Sequence, residues 1–176
     1  MPFFKKTLIT DALLIHFILK AVAAYLLWFF IYDYLLLRNG FMDKFLIQHL
    51  VKSTAFILEA FGYSVYTYAD AVGIDGTHGV LIGAPCNGME LFALFAGFII
   101  IFSGKIKDKL LFIPLGLLAI HLLNIFRLVA LALVVQYKPE SLEFNHKYTF
   151  TVLVYAFIFI LWMIWVNRFA LKHQPN

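Results

Sequence analysis

Charged side chains are scarce in this chain. Lys, Arg, Asp and Glu make up 14% of its 176 residues, whereas 63% are hydrophobic and the mean hydropathy is +0.88. A soluble domain has about 25% charged and about 45–50% apolar residues, so lipid must be the main solvent here. The net charge of +4 is small and scattered. It does not suggest a nucleic-acid partner, so we expect none, and it fits basic flanks held near anionic membrane lipid.

Cysteine is also scarce, and metal-binding patterns are missing. Cys86 is the single cysteine, so no intramolecular disulfide can form and a two-cysteine redox reaction is disfavoured. His16, His49, His78 and His173 lie far apart and lack the spacing of metal ligands. The sequence contains no phosphate-binding glycine loop. We therefore expect neither a metal nor another cofactor.

Long apolar segments dominate what remains. A helix needs about 20 apolar residues to cross the hydrocarbon layer. Four segments come near that length: residues 12–37, 88–103, 110–135 and 148–169. We predict a single all-α membrane domain over residues 1–176, a bundle of about four transmembrane helices.

The inner boundary of the first span is left open by the sequence. Asp11, His16 and Lys20 interrupt its apolar run. Either Lys20 extends toward the interface from a span that starts near Ala21, or an amphipathic stretch precedes that span. No small-residue cleavage site follows a compact apolar run, so we expect this span to be retained.

Residues 38–87 separate the first two predicted spans. Residues 41–61 place polar side chains among apolar ones at helical spacing, which predicts an amphipathic helix near the membrane surface. Residues 63–84 are rich in Tyr, Val, Gly and Asp and favour short strands or an irregular loop.

The lysines at 105, 107 and 109 set the expected orientation. Three positive charges within five residues are a strong cytoplasmic signal. Both termini are then cytoplasmic in a multi-pass protein of the cytoplasmic membrane. Residues 38–87, Cys86 and a loop over residues 136–147 face the extracytoplasmic side.

Cys86 lies in a segment of turn-forming residues directly before the second span. Pro85 cannot extend a helix backward, and Asn87 and Glu90 have the spacing of a capping box. A thiol at a helix N-terminus is favoured as thiolate. The alternative is a small buried hydrophobic residue, which is common for a lone cysteine.

Arg127 lies inside the third apolar segment, about 13 Å along the helix from Gln136. A cation at such a depth is costly unless it is paired or hydrated, so it marks a functional site or a structural ion pair. Glu90 and Asp33 are the candidate partners of such a pair. Asn124 is one turn earlier on the same face and would orient the guanidinium. His121 points elsewhere, and we expect it to have a packing role.

His146 opens the fourth predicted span. Taken alone, it is an ordinary solvated histidine. The inferred topology brings it to the same membrane face as Cys86 and Arg127. A cysteine, a base and a charge stabiliser are what acyl transfer through a thioester requires.

The order and placement of these residues resemble the exosortase/archaeosortase family. The resemblance is carried by Pro85 and Gly88 around Cys86, by Asn124-x-x-Arg127 in a late span and by His146 at the start of the last one. It covers about residues 41–169. The chain departs from the pattern in lacking additional N-terminal spans and in having Asn87 where a small residue often follows the cysteine.

The resemblance implies a membrane cysteine protease or transpeptidase for protein sorting. Cys86 would be the nucleophile, His146 the general base and acid, and Arg127 the stabiliser of the substrate and oxyanion. Asn124, Asn87 and Glu90 would orient the substrate or support these three. The substrates would be exported proteins with a C-terminal motif, a transmembrane helix and a basic tail. The alternative is a non-enzymatic membrane partner or small transporter with a structural Arg127 ion pair.

Overall fold

The computed structural model describes residues 15, 18–23, 25–30, 32 and 40–170. The described residues between Ile18 and Phe30 are helical. Twelve of the 26 residues of the predicted first span, including His16 and Asp33, lie outside the described residues, and so does Asp11. Residues 40–170 form a helical assembly with one small sheet.

Helix α1 (Phe41–Ala60) is the predicted amphipathic helix. Its buried face, which includes Ile47, Leu50 and Leu58, repeats every three to four residues, as one side of a helix requires. The helix ends at Phe61, where Gly62 has a φ of +86° and allows the chain to turn away. The helical prediction for residues 41–61 is confirmed.

The segment after α1 forms an antiparallel sheet of three short strands. They are β1 (Val65–Tyr68), β2 (Ala71–Ile74) and β3 (Val80–Leu81), in the order β1-β2-β3. Val65 pairs with Ile74, and Ala71 pairs with Leu81. The prediction of short strands is therefore confirmed over an irregular loop.

Helices α2 (Met89–Ile101), α3 (Ile106–Tyr137) and α4 (Pro139–Ala170) complete the fold. Both α3 and α4 are 32 residues long with a mean hydropathy of 2.3, so each is long and apolar enough to cross a membrane. Helix α2 has only 13 residues. At about 20 Å it is shorter than the roughly 30 Å hydrocarbon layer. The prediction of a span-length helix over residues 88–103 is therefore not met.

The predicted loop over residues 136–147 is wrong. Helix α3 continues to Tyr137, and α4 begins at Pro139. Proline is well tolerated in the first turn of a helix, where its missing N–H costs nothing. A π-helical turn, Asn145–Thr149, interrupts the start of α4 before its α-helical part, Phe150–Trp165. His146 therefore lies on a helix and not in a loop.

Two buried clusters hold these elements together. The first, which we call the sheet-side core, joins α1, the sheet and the C-terminal half of α3 through Leu50, Val72, Ile82 and Leu131 among others. The second, which we call the aromatic core, joins α2, α3 and α4. It includes Phe95, Ile120, Ile158 and Trp165.

A pair of tyrosines links the sheet region to the end of α3. The hydroxyls of Tyr63 and Tyr137 are 2.8 Å apart. This hydrogen bond, together with burial, raises the pKa of Tyr63 above its ordinary value. Either hydroxyl can be the donor in this bond.

Gly116 lets α3 pack closely against Phe95 of α2. A Cβ at this position would overlap the ring of Phe95, which is fully buried. We predict that Gly116→Ala lowers the free energy of unfolding by about 1–3 kcal/mol, because the ring has no free volume to move into. The measurement is thermal unfolding in detergent.

Gly97 on α2 supplies the matched control, since no described residue outside its own stretch of helix has a heavy atom within 4 Å of a Cβ built there. Gly97→Ala should be neutral or slightly stabilising, because alanine favours helix over glycine by roughly 1 kcal/mol. A Gly116→Ala protein that unfolds at or above the wild-type temperature would contradict the close packing of α2 on α3.

Candidate active site

Cys86 lies in a tight turn between the sheet and α2. The N–H of Ile82 donates to Asp70 at 2.8 Å and ends the sheet pairing. The chain then forms a 3-10 turn, Ala84–Cys86, in which the Cys86 N–H donates to the Gly83 carbonyl at 2.9 Å. Cys86 is half-buried and packs against the sheet-side core. Its position is thus fixed from the sheet on one side and from α2 on the other.

Gly88 allows this turn to join α2. It is the N-cap of α2 and has a φ of +90°, a conformation that other residues rarely adopt. A Cβ here would also lie 3.2 Å from Nδ2 of Asn124. Glycine is therefore required both for the backbone conformation and for the close approach of α3.

Three side chains that the sequence singled out come together at this turn. Sγ of Cys86 lies 3.3 Å from Nε2 of His146, and Nη2 of Arg127 donates to the same sulfur at 3.9 Å. The histidine comes from the π-helical turn of α4 and the arginine from α3. Residues far apart in sequence thus converge on one half-buried sulfur.

Asn124 connects Arg127 to the turn. Its Oδ1 accepts from Nη1 of Arg127 at 3.5 Å, which is the contact that their spacing predicted. Its Nδ2 also donates to the carbonyl of Cys86 at 3.0 Å, a contact that the sequence did not indicate. The side chain is 1% exposed. Asn124 therefore holds both the guanidinium and the backbone of the nucleophile candidate.

Asn87 does not form the predicted capping box with Glu90. Gly88, rather than Asn87, is the N-cap of α2. Asn87 instead accepts from the N–H of Met89 at 2.8 Å through Oδ1, and its Nδ2 donates to the carboxylate of Asp43. The capping box is therefore wrong, and the supporting role of Asn87 stays a prediction.

Asp43 was missed by the sequence analysis. It lies in the first turn of α1 and is 8% exposed. An acidic residue at the start of an amphipathic helix is ordinary, because it interacts with the helix dipole. No local sequence signal connects it with Asn87, which lies 44 residues later.

Glu90 is not brought to the cluster. It is exposed and lines an apolar groove of about 850 Å³ between α2, α4 and the described helical residues before Tyr32. Within the described part of the chain, the ion pair found is Lys147 with Glu143, and Arg127 forms none with Glu90. The Arg127–Glu90 pair considered from the sequence is therefore wrong.

His121 packs against α1, but through a polar contact. Its Nε2 lies 2.9 Å from Nδ1 of His49, and its ring lies 6.3 Å from that of Phe92. His49 in turn lies 3.4 Å from the hydroxyl of Ser53. The packing role expected for His121 agrees with this contact, which joins α3 to α1.

The electrostatics of the cluster suit nucleophilic chemistry. An imidazole within hydrogen-bond distance of a thiol can take its proton, and a neighbouring guanidinium stabilises negative charge that develops nearby. Nε of Arg127 is buried and has no hydrogen-bond partner among the described residues, so the guanidinium has donor capacity to spare. The N–H groups of Cys86 and Asn87 are both used inside the 3-10 turn. Among these groups, the Arg127 guanidinium is the cation that contacts the Cys86 sulfur.

Comparison with known proteins agrees with the motifs. A family model described as transmembrane exosortase matches residues 8–166, which is most of the chain. Curated proteins and solved structures give no match. The resemblance found in the sequence is thereby confirmed, and the chain belongs to the transmembrane exosortase family.

Proposed function

We propose that this exosortase is a membrane cysteine protease and transpeptidase that acts through a thioester acyl-enzyme. The observation that carries the proposal is the contact of Cys86 Sγ with both His146 Nε2, at 3.3 Å, and Arg127 Nη2, at 3.9 Å. A nucleophile, a base and a cation at these distances match the requirements of acyl transfer.

The reaction begins with proton transfer from the Cys86 thiol to His146. The sulfur attacks the substrate carbonyl, and the Arg127 guanidinium donates to the oxygen as it becomes negative. His146 returns its proton to the leaving amine as the C–N bond breaks. A thioester then joins the N-terminal part of the substrate to Cys86.

The second half of the reaction runs with the same groups. His146 takes a proton from the incoming acceptor, which attacks the thioester carbonyl. The C–S bond breaks, and the proton returns to the sulfur. Water as acceptor gives proteolysis, whereas an amine or a lipid or glycan acceptor gives transfer.

The proposed substrates are exported proteins with a C-terminal motif, a transmembrane helix and a basic tail, as the family resemblance implies. The proposed location is the cytoplasmic membrane, with Cys86 facing the extracytoplasmic side. The membrane-length α3 and α4 and the lysines at 105, 107 and 109 support this arrangement. Because the substrate is itself anchored in lipid, its cleavage site is presented at the membrane face.

The alternative is a non-enzymatic membrane partner or small transporter. Its structural argument was an ion pair between Arg127 and Glu90, and the two side chains are not paired. The contacts of Arg127 with Cys86 and Asn124 favour the enzyme.

Replacing the nucleophile or the base tests the thioester mechanism. We predict that Cys86→Ala and Cys86→Ser abolish cleavage of a co-expressed cognate substrate. His146→Gln should lower the rate by on the order of 10²–10⁴, the usual contribution of a general base. His78→Gln is the matched control, because His78 is exposed in the loop before β3. Cleavage at the wild-type rate by Cys86→Ala would refute the mechanism.

Arg127→Lys tests the oxyanion role. Lysine keeps the charge but loses the forked, planar donors of the guanidinium. We predict a loss of turnover of on the order of 10²–10³, with little change in the thermal unfolding temperature. Glu90→Gln is the control and should cleave normally.

A double variant separates catalysis from ion pairing. Arg127→Leu with Glu90→Leu should stay inactive, because the two residues do not compensate each other. Near-normal cleavage by this double variant would make Arg127 structural.

Labelling with a membrane-impermeant maleimide tests the orientation. Cys86 is the sole cysteine, so Cys86→Ala provides a cysteine-free background. In it, His78→Cys should be labelled from the extracytoplasmic side, whereas Lys107→Cys should be labelled only after the membrane is permeabilised. Labelling of the Lys107→Cys protein alone in intact cells would invert the proposed topology.

A further inference from the structure

The turn that carries Cys86 is held by side chains from two different helices. From α3, Asn124 donates to the carbonyl of Cys86 at 3.0 Å. From α1, the carboxylate of Asp43 accepts from Asn87, the residue after the nucleophile. Helix α3 already belongs to the site, because it also carries Arg127. Helix α1 supplies no other hydrogen bond to this turn among the described residues.

The amide of Asn87 can be held in only one orientation. Its Oδ1 accepts from the N–H of Met89 at 2.8 Å, so its NH₂ group must face the other way. Asn87 is 0% exposed, and its NH₂ therefore needs a buried acceptor. Asp43, 8% exposed, supplies that acceptor.

We propose that Asp43 is a positioning residue for the nucleophile. By fixing Asn87, it holds the turn so that Sγ of Cys86 stays within hydrogen-bond distance of His146. This proposal rests on the proposed function, which makes Cys86 the nucleophile. The effect of Asp43 on the position of the thiol can nevertheless be measured without a substrate.

The chemistry explains why such a restraint is needed. The 3.3 Å contact between Cys86 and His146 joins a turn to a separate helix, and no backbone pairing sets that distance. A displacement of about 1 Å at a reacting group costs on the order of 10²-fold in rate. Helix α1 is anchored in the sheet-side core through Leu50 and Leu58, so its Asp43 gives the turn a fixed reference.

A purely structural role for Asp43 makes a different prediction. Asp43 lies in the first turn of α1, whose N-cap, Gly40, provides no side-chain hydrogen bond. There its negative charge would interact favourably with the helix dipole. Its removal would then lower the stability of the protein without changing the alkylation rate of the thiol.

The test measures the alkylation rate of Cys86 by iodoacetamide across pH, using the full-length protein in detergent. Cys86 is the only cysteine, so the rate reports on this thiol alone. Substrate cleavage and thermal unfolding are followed in parallel. The variants are Asp43→Ala, Asp43→Asn, Asn87→Asp and the exchange Asp43→Asn with Asn87→Asp. Glu59→Ala, an exposed acid on the same helix, is the matched control.

The hydrogen-bond donors and acceptors set the expected order. Asp43→Asn keeps an acceptor oxygen and should stay within about threefold of the wild-type alkylation rate at pH 7. Asp43→Ala removes the acceptor and should slow alkylation about tenfold, because a thiol displaced from His146 loses its base. Asn87→Asp places a second carboxylate against that of Asp43, so alkylation of this variant should be slower still. The exchange restores a donor–acceptor pair and should recover most of the loss.

The proposal is overturned if Asp43→Ala alkylates at the wild-type rate or faster. It is also overturned if the effects in the exchange variant are additive, or if Asp43→Ala changes only the unfolding temperature. Failure of the proposed function looks different. Cys86→Ala would then still cleave substrate, while alkylation continued to depend on residues 43 and 87 in the order given.

Discussion

The guanidinium of Arg127 sits part-way along a helix long and apolar enough to cross a membrane, and it cannot be left there without polar neighbours. Asn124 and the sulfur of Cys86 provide them. Each of these partners is held in turn, because an amide or a bent backbone in an apolar setting needs its own hydrogen bonds. Asn124 donates a hydrogen bond to the carbonyl of Cys86, and Asn87 donates one to the carboxylate of Asp43.

Helix α3 is the element on which this network is assembled. Its C-terminal half packs in the sheet-side core with α1 and the strands, while Ile120 belongs to the aromatic core with α2 and α4. Asn124 lies where the two cores meet along α3, and Arg127 follows between Ile125 and Leu128 of the sheet-side core. The turn that carries Cys86 joins the same two parts of the molecule, since it leads from β3 into α2. The site therefore forms at the junction of the cores, where packing fixes the backbone from both sides.

Composition predicted the membrane character, and residue spacing and type predicted α1 and the strands. The convergence of Cys86, Arg127 and His146 could be predicted because polar or reactive residues are rare in an apolar sequence. An arginine in an apolar run and a lone cysteine among turn residues stand out in a sequence. The start of α4 could not be read in the same way. Residues 138–147 are polar and contain a proline, which is typical of a loop, yet Pro139 suits a first helical turn and Lys147 pairs with Glu143 one turn away. Asp43 was missed because its importance depends on a contact across 44 positions, and Glu90 was overvalued because spacing alone suggested a cap.

The short length of α2 explains why the turn before it needs these hydrogen bonds. At about 20 Å, α2 falls roughly 10 Å short of the hydrocarbon thickness. Before α2 the chain forms the non-helical turn around Cys86. Irregular backbone within a hydrocarbon layer is tolerated only where protein, rather than lipid, satisfies its polar groups. Asn124 and Asp43 meet that demand, one through the carbonyl of Cys86 and the other through Asn87. The hydrogen bonds that satisfy this turn are thus made to Asn87 and to the carbonyl of Cys86, whose sulfur lies 3.3 Å from His146.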